Sequence, residues 1–405
     1  GQHSRQKKVI FGVNIPYNHA MKWIWQQADW PHFRYDPTTI ADREYAFHKG
    51  SERLAGLFEA LPNNSRVDAT IDLMLSEAIK TNAIEGEHLD RMSVRSSLLS
   101  LMASDTIPEN TDQRAAGAAC LLVDVRQNWN QPLSDELLGK WQSMAVPDQR
   151  YKLIMRGSYR NDPSAMQIVS GPYGRQTVHY EAPPSSDVPQ EMARFIDWYN
   201  NSKPSQGQRP LAGLIRAGIA HLWFEVIHPF DDGNGRVGRA IADHALSQSL
   251  GYPTTACLAT AIAADRKSYY TALESASRKS VDINAWLDYF ADRVTRAQEI
   301  AKEEVDFVLA KTRFYEAFGN ELNERQAKMV TRVFAEGRQG SKGGITTKKY
   351  ETITKCPNRT ASRDLSDLLA KGIITALPGG GRTTHYALSV VAPRTSLFQE
   401  PIQRA

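Results

Sequence analysis

Twelve residues from His228 to Arg239, HPFDDGNGRVGR, combine side chains that could support phosphate chemistry. The run holds one imidazole, two adjacent carboxylates, three glycines, an asparagine and two arginines. Gly233 and Gly235 free the backbone so that successive N–H groups can converge on an anion, and a helix that begins near Arg236 would add favourable potential. Because Arg236 and Arg239 are three residues apart, they lie on one side of that helix. The pattern favours a polyphosphate site over a site for a single carboxylate.

His228 titrates near neutrality, which makes it the natural general base of the run. Asp232 directly precedes the glycines, where its carboxylate could hold Mg²⁺; this ion binds nucleotides through one or two carboxylates plus phosphate oxygens. In a purely structural alternative, His228 caps a helix and the arginines pair with surface acids. Gly233, Gly235 and Gly238 also satisfy the dinucleotide pattern G-x-G-x-x-G, but that pattern requires a preceding strand. The run before it, PLAGLIRAGIAHLWFEVIH, is long and helical, so we reject that interpretation.

The same twelve residues match every specified position of the Fic family signature, H-x-F-x-[D/E]-G-N-G-R-x-x-R, so the chain resembles that family. Family-like features extend over roughly residues 65–300, including GSYR upstream and RKSYYTAL downstream. The resemblance implies a mainly α fold with a Fic-type helical core and a β-hairpin flap. It also implies a protein adenylyltransferase, which transfers AMP from ATP to a hydroxyl side chain (Ser, Thr or Tyr) of a target protein and releases pyrophosphate.

The resemblance implies roles by position. His228 would deprotonate the target hydroxyl, and Asp232 would hold Mg²⁺ that bridges the α- and β-phosphates. Asn234 and the amides of Gly233 and Gly235 would stabilise the developing charge. In phosphoryl-type transfer most of the catalysis is positioning and charge stabilisation, which suits this set of donors.

The remaining nucleotide contacts follow from the same resemblance. Arg236 and Arg239 would engage the β- and γ-phosphates, and Phe230 would be buried to anchor the loop. Tyr270 sits where the family often places an aromatic ring against adenine, although it could equally belong to the core. Ser277 stands where some relatives carry an adenine-contacting asparagine, so the nucleotide preference stays open.

Two β-like runs, AMQIVS and QTVHYEA, flank the residues 171–174 (GPYG) and predict a β-hairpin. The hairpin resembles the family's flap, whose strand, around Ile168 and Val169 here, pairs with the backbone of the target. A plain surface hairpin is the alternative.

The sequence TNAIEG, from Thr81 to Gly86, places Glu85 at the end of a helix, where a carboxylate gains nothing from the helix dipole. Gly86 is predicted to end that helix. The run fits the family's inhibitory pattern [S/T]-x-x-x-E-[G/N], which implies that Glu85 pairs with Arg239 and keeps it from the γ-phosphate. The alternatives are an exposed glutamate at a frayed helix end, and an enzyme that removes AMP, in which Glu85 orients a water.

Residues 322–388 carry 12 Lys and Arg against 5 Asp and Glu, in a chain whose net charge is only +4. Three helices followed by a glycine-rich hairpin resemble a winged helix (α+β), with NRTASRDLSDLLAKG as its recognition helix. We expect Arg359 and Arg363 to face outward, and the leucines of that helix to face inward: Leu365, Leu368 and Leu369. Such a domain would bind DNA through its phosphates or dock a protein, and fold alone does not decide between them.

A length of 405 residues allows two or three domains. We expect an N-terminal helical region with the inhibitory motif at 1–95, whose first sixty residues are irregular. The Fic core is expected at 96–311 and a winged-helix-like domain with a tail at 312–405, joined by a linker at about 312–320. Three scattered cysteines, the lack of an apolar run of about 20 residues and the lack of a secretion signal favour the cytoplasm.

A rival hypothesis is a DNA-binding regulator whose Fic core only senses nucleotide, although such a sensor could dispense with His228. The identity of the target protein is not encoded in any recognisable motif. Self-modification and a homodimer are left open by the sequence.

Overall fold

The chain divides into two compact units, Gly1–Ala60 with Thr70–Lys302 and Leu61–Ala69 with Glu303–Ala405. The computed structural model describes residues 8–11, 23–107, 111–147, 154–170, 177–204, 207–278, 280–336, 344–378 and 384–389. Within those residues, no helix has both the length and the apolar composition needed to cross a membrane.

Helices dominate the described part of the first unit, which confirms the mainly α prediction. Two of the helices, α2 and α11, also contribute residues to the second unit. In chain order the helices are α1 (Ala41–Glu59), α2 (Asn63–Ile84), α3 (Arg91–Ser104), α4 (Gln113–Gln127), α5 (Asp135–Ala145), α6 (Val188–Asn201), α7 (Gly213–Ile227), α8 (Asn234–Leu250), α9 (Leu258–Ala264), α10 (Arg266–Ala276) and α11 (Asn284–Phe318).

The core of the first unit is built around α7. Its residues are buried on nearly every side, as expected for a helix that is apolar around its whole circumference. α8 packs against α7 and is buried along most of its length. The loop that joins these two buried helices contains His228 and Asp232, so the core holds both ends of that loop.

A three-stranded antiparallel sheet has the order β1 (Lys8–Phe11), β2 (Met166–Ser170) and β3 (Thr177–Glu181). β2 and β3 are the two predicted strands of the hairpin, whereas the predicted turn at 171–174 lies outside the described residues. β1 pairs with the opposite edge of β2, with Val9 facing Ile168 across the ladder.

The prediction that the first sixty residues are irregular is wrong for residues 41–59, which form α1. Phe47, Leu54 and Phe58 are buried along this helix. Their spacing of seven and four residues keeps them on one helical face, which the core covers.

The linker expected at 312–320 is also replaced by regular structure. α11 continues to Phe318 and is followed by a 3₁₀ turn at Gly319–Glu321. Phe314 is 1% exposed in the apolar core of the second unit, so this part of the chain is held by packing. Burial of side chains therefore stabilises a helix at 312–318 that the local sequence does not predict.

The second unit has its own small core, and its elements follow the predicted order of three helices and a hairpin. These are α12 (Glu324–Ala335), α13 (Thr347–Thr354), α14 (Asn358–Ala370), β4 (Ile374–Ala376) and β5 (Tyr386–Leu388). The winged helix and its binding to DNA or protein stay predictions.

The side chains of α14 follow the predicted amphipathic pattern with one exception. Arg359 and Arg363 are exposed, whereas Leu365 and Leu368 are buried. The prediction that Leu369 faces inward is wrong, since this side chain is 42% exposed. One residue advances about 100° around a helix, which takes Leu369 off the face that Leu368 buries.

Candidate active site

The loop between α7 and α8 is held in shape by its own side chains. His228 ends α7 in the left-handed region (φ 51°, ψ 59°), and its backbone N–H donates to the carbonyl of Phe224 at 2.9 Å. Phe230 is fully buried, as expected. The Asn234 side chain accepts from the backbone N–H of Phe230 at 2.9 Å and donates to its carbonyl at 2.7 Å. Asn234 therefore braces the loop, and its assignment to the nucleotide stays a prediction.

The orientation and the charge state of His228 follow from the groups around its ring. The side chain is buried, and Nδ1 lies 3.3 Å from the carbonyl oxygen of Glu225. Since a carbonyl only accepts, Nδ1 carries the hydrogen and Nε2 keeps a free lone pair. Burial, together with the positive charge of Arg160, lowers the pKa of His228 to about 4. The ring is therefore neutral at neutral pH and able to take a proton.

Side chains of neighbouring residues lie close to the backbone at Gly233 and Gly235, which leaves little room for a side chain at either position. Gly233 has φ +88°, and a Cβ at this position would lie 2.8 Å from Cγ2 of Val146. A Cβ on Gly235 would lie 2.2 Å from Oε1 of Glu85. Gly233 also donates its N–H to Oδ1 of Asp232 at 2.6 Å, which fixes that carboxylate at the start of α8.

Glu85 and Arg239 form the ion pair that the resemblance implied. Nη2 of Arg239 donates to Oε1 of Glu85 at 2.7 Å and to the carbonyl of Thr81 at 2.9 Å, while Nε donates to the Thr81 hydroxyl at 2.8 Å. Burial alone would raise the pKa of Glu85, but the adjacent Arg239 lowers it, so the carboxyl is ionised. Gly86 follows with φ +86° and lets the chain turn away from the end of α2. Three donor contacts thus hold Arg239 against the end of this helix.

Arg236 is also engaged by protein groups. Nη1 donates to the carbonyl of Ala145 at 2.7 Å and to the Glu87 carboxylate at 3.0 Å, and Nη2 lies 3.3 Å from Asp232. Only 4% of its side chain is exposed. In this state both arginines of the signature are bound by carboxylates of the chain itself.

A cavity of about 150 Å³ brings several of these groups together. Its floor is the loop with His228 and Asp232, and Glu85 reaches it from the end of α2. Tyr270 lines it from α10 and donates its hydroxyl to the carbonyl of Ile84 at 3.0 Å. Ile168 lines it from β2, whereas Val169, on the opposite face of that strand, is buried in the core. The other predicted residues on the wall are Gly233, Asn234 and Gly235.

Two residues near the histidine were not given a role from sequence. Arg160 donates Nε to the carbonyl of His228 at 2.8 Å and a second nitrogen to that of Pro183 at 2.5 Å, which ties the loop to the segment after β3. It belongs to the GSYR run, whose family likeness was its only signal. Glu225 lines the cavity one helical turn before His228, and its spacing from the histidine was the available signal.

The edge of β2 that the resemblance assigns to a target is paired in this structure. β1 runs antiparallel along it, with Lys8 opposite Val169 and Phe11 opposite Met166. The flap therefore already holds an extended segment of the same chain.

Fold and site together define a mainly helical protein with a histidine-bearing anion loop between two buried helices. Residues 132–246 match the sequence model of the Fic/DOC family, so the chain carries a Fic/DOC family domain. Residues 23–102 match a domain of unknown function, DUF4172.

Two curated relatives are similar to parts of the chain. A uridine 5'-monophosphate transferase from Xanthomonas campestris is 29% identical over 156 residues, which are 35% of this chain and 29% of that protein. A probable protein adenylyltransferase from Aquifex aeolicus is 36% identical over 70 residues, 17% of this chain and 20% of that protein. The chain thus spans less than a third of the length of either relative.

Among solved structures, a Fic family protein from Desulfovibrio desulfuricans is similar at 18% sequence identity and a TM-score of 0.47. The match covers 89% of this chain and 100% of that one.

Proposed function

We propose that the protein transfers AMP from ATP to a hydroxyl group of a target protein. The observation that carries the proposal is a neutral, oriented His228 in one cavity with Asp232 and the glycine loop, backed by two buried arginines. Phosphoryl-type transfer needs a positioned base and fixed positive charge. The orientation of His228 supports the first role, and Arg236 and Arg239 would fill the second once phosphates replace their carboxylate partners. The similarity to a protein adenylyltransferase and to a uridine 5'-monophosphate transferase supports nucleotide transfer in general.

In this proposal the target hydroxyl attacks the α-phosphorus while Nε2 of His228 accepts its proton. The bond from the α-phosphorus to the bridging oxygen breaks, and its electron pair leaves with pyrophosphate. The backbone amides at the start of α8 and the two arginines stabilise the charge on the phosphates. The hydrogen bond from Nδ1 to the Glu225 carbonyl keeps the ring in the tautomer that the step requires.

The donor nucleotide is tested directly by labelling. Protein carrying Glu85→Gly is incubated in cell lysate with α-³²P-ATP or with α-³²P-UTP, and protein-bound label is measured. We expect label from ATP, and unlabelled ATP should compete for it better than unlabelled UTP. Label from UTP alone would replace AMP by UMP in the proposal.

Mg²⁺ fits the residues present, because the Asp232 carboxylate is 45% exposed and lines the cavity. Among the described residues no three carboxylate, histidine or cysteine side chains converge on one point, so phosphate oxygens and water would complete the shell. When bound, the ion would neutralise phosphate charge.

Asp232→Asn should raise the Mg²⁺ concentration needed for half-maximal labelling by about tenfold or more, because the replacement removes an anionic ligand. Asp231→Asn is the matched control, since Asp231 accepts from the backbone N–H of Met155 and an amide oxygen preserves that contact. An unchanged Mg²⁺ requirement in Asp232→Asn would remove this residue from the metal site.

We further propose that Glu85 inhibits transfer by holding Arg239. Since Glu85 also lines the cavity beside His228, removal of AMP from a modified protein is the second candidate function. In that reaction Glu85 would orient a water, so Glu85→Gly should abolish AMP removal while it increases AMP transfer. Release of AMP from a labelled target by wild type and by the variant separates the two activities.

Target docking at the flap requires that β1 leave the edge of β2. The N–H groups of successive residues in β1 face opposite edges, so proline at both positions 9 and 10 removes the one donor of the two that faces β2 and should weaken this pairing. In a Glu85→Gly background, Val9→Pro with Ile10→Pro should speed target labelling about fivefold, equivalent to about 1 kcal/mol of strand pairing. Gln2→Pro, six residues before Lys8 in the sequence, is the control. A labelling rate that does not respond would mean that targets dock elsewhere.

A further inference from the structure

Glu225 is a buried carboxyl group in the wall of the cavity, outside the family signature. It lies on α7, three residues before His228, and its side chain is 12% exposed. Its Oε1 atom has no hydrogen-bond partner among the described residues. A buried carboxyl oxygen without a hydrogen-bond partner costs free energy, so its presence in the wall of a cavity calls for a functional explanation.

Glu225 approaches the Nδ1 side of His228 with two groups. Its main-chain carbonyl oxygen lies 3.3 Å from Nδ1, and Oε2 of its carboxyl group lies 4.0 Å from the same atom. The carbonyl sets the tautomer of the neutral ring. The carboxyl group lies where the positive charge of an imidazolium would appear.

The absence of a side chain at Gly238 on α8 leaves room for the Glu225 carboxyl group. A Cβ on Gly238 would lie 2.5 Å from Oε1 of Glu225 and 3.2 Å from Nδ1 of His221. Only glycine therefore leaves room for the carboxyl group in this position. A substitution at Gly238 can therefore displace the Glu225 carboxyl group without changing Glu225 itself.

We propose that Glu225 is a positioning residue for His228, whose carboxylate stabilises the imidazolium formed when the histidine takes the proton of the target hydroxyl. The inference rests on the proposed function. As the target oxygen bonds to the α-phosphorus and pyrophosphate leaves, the proton moves to Nε2 of His228 and later to solvent. Glu225 exchanges no atom in this step; it contributes charge next to Nδ1, as the third group of a nucleophile–base–carboxylate arrangement does.

The charge on Glu225 depends on its surroundings. Burial and the negative charge of Glu85 raise the pKa of Glu225 to about 8, against the opposing effect of Arg239. The other titratable groups around it are His221 and His228 on its own helix, Tyr269 on α10 and Tyr180 on β3. Below pH 8 the group carries a proton and is neutral; above pH 8 it is an anion. Its support for His228 therefore grows as pH rises.

The kinetic test compares Glu85→Gly with Glu85→Gly/Glu225→Gln. Without Glu85 the carboxyl group ionises at a lower pH, so kcat of the single variant should rise with pH in the range below 8. Glutamine keeps the shape of the Glu225 side chain but cannot ionise. The rise of kcat with pH should therefore be absent in the double variant, and its kcat at pH 8 should be about tenfold lower than that of Glu85→Gly. Glu85→Gly/Gly238→Ala should show a similar loss, because the added Cβ displaces the carboxyl group. Nucleotide affinity should be unchanged in both, since neither substitution touches a proposed phosphate contact.

A second readout does not need activity. With ¹³C-labelled histidine and His228→Ala for assignment, the ring resonance of His228 should show an inflection near pH 8 that Glu225→Gln removes. Equal pH profiles for the Gln variant and its parent, or an inflection that survives the substitution, would overturn the proposal. If Glu85→Gly transfers no nucleotide at all, the proposed function fails, and the resonance still decides whether Glu225 acts on His228.

Discussion

Glu85→Gly is expected to increase AMP transfer about ten- to a hundredfold. The substitution removes the carboxylate that lies 2.7 Å from Nη2 of Arg239, so the guanidinium keeps only its two contacts to Thr81 and can reach the γ-phosphate. Hydrogen bonds to charged groups contribute roughly 1.5–3 kcal/mol, and a productive phosphate contact of that strength corresponds to this range of rates.

The change is measured as the initial rate of protein labelling at saturating ATP. Glu136→Gln, at an exposed glutamate in the first turn of α5, controls for the loss of a carboxylate elsewhere. Labelling of the protein itself should rise along with labelling of targets. Equal rates for wild type and Glu85→Gly would exclude Glu85 as an inhibitor, even though the ion pair is present.

His228→Ala, introduced into the Glu85→Gly protein, is expected to lower kcat by about 10²–10⁴-fold, the usual contribution of general acid–base catalysis. ATP affinity should stay within the same order of magnitude, because the proposed phosphate contacts come from the glycine loop and the arginines. Isothermal titration of ATP and single-turnover labelling separate the two effects.

The backbone conformation at His228 makes a second substitution necessary as a control. His228 has φ 51°, a left-handed conformation that costs alanine roughly 1–2 kcal/mol. Asparagine tolerates this conformation, so His228→Asn should lose transfer without the loss of stability that His228→Ala shows in thermal unfolding. Transfer retained by His228→Asn would exclude the imidazole as the base.

Much of the site was predictable because its residues are contiguous. His228, Asp232 and the two glycines lie on one loop, so their relative placement follows from the local sequence. The Glu85–Arg239 pair, 154 residues apart in sequence, was reached only through the family resemblance. No spacing rule connects residues on α2 and α8, because the packing of the helices determines which of them meet.

The structural features that were not predicted from the sequence depend on tertiary packing. α1 has buried apolar residues at helical spacing, but it follows a stretch rich in tryptophan and proline that suggests irregular structure. The last eight residues of α11, KTRFYEAF, mix charged and aromatic side chains and directly precede Gly319, yet the helix continues to Phe318 because Phe314 is buried. Glu225 is one of a few polar residues in an otherwise apolar helix, and only the folded structure shows that Oε2 of its carboxyl group lies 4.0 Å from Nδ1 of His228.

The most direct test of the central claim is labelling with α-³²P-ATP and Mg²⁺, comparing wild type, Glu85→Gly and Glu85→Gly/His228→Asn. We expect weak label with wild type, strong label with the single variant and none with the double variant. That result would establish AMP transfer, its histidine and its inhibition together. Strong label that persists in the double variant, or no label with Glu85→Gly, would contradict the account.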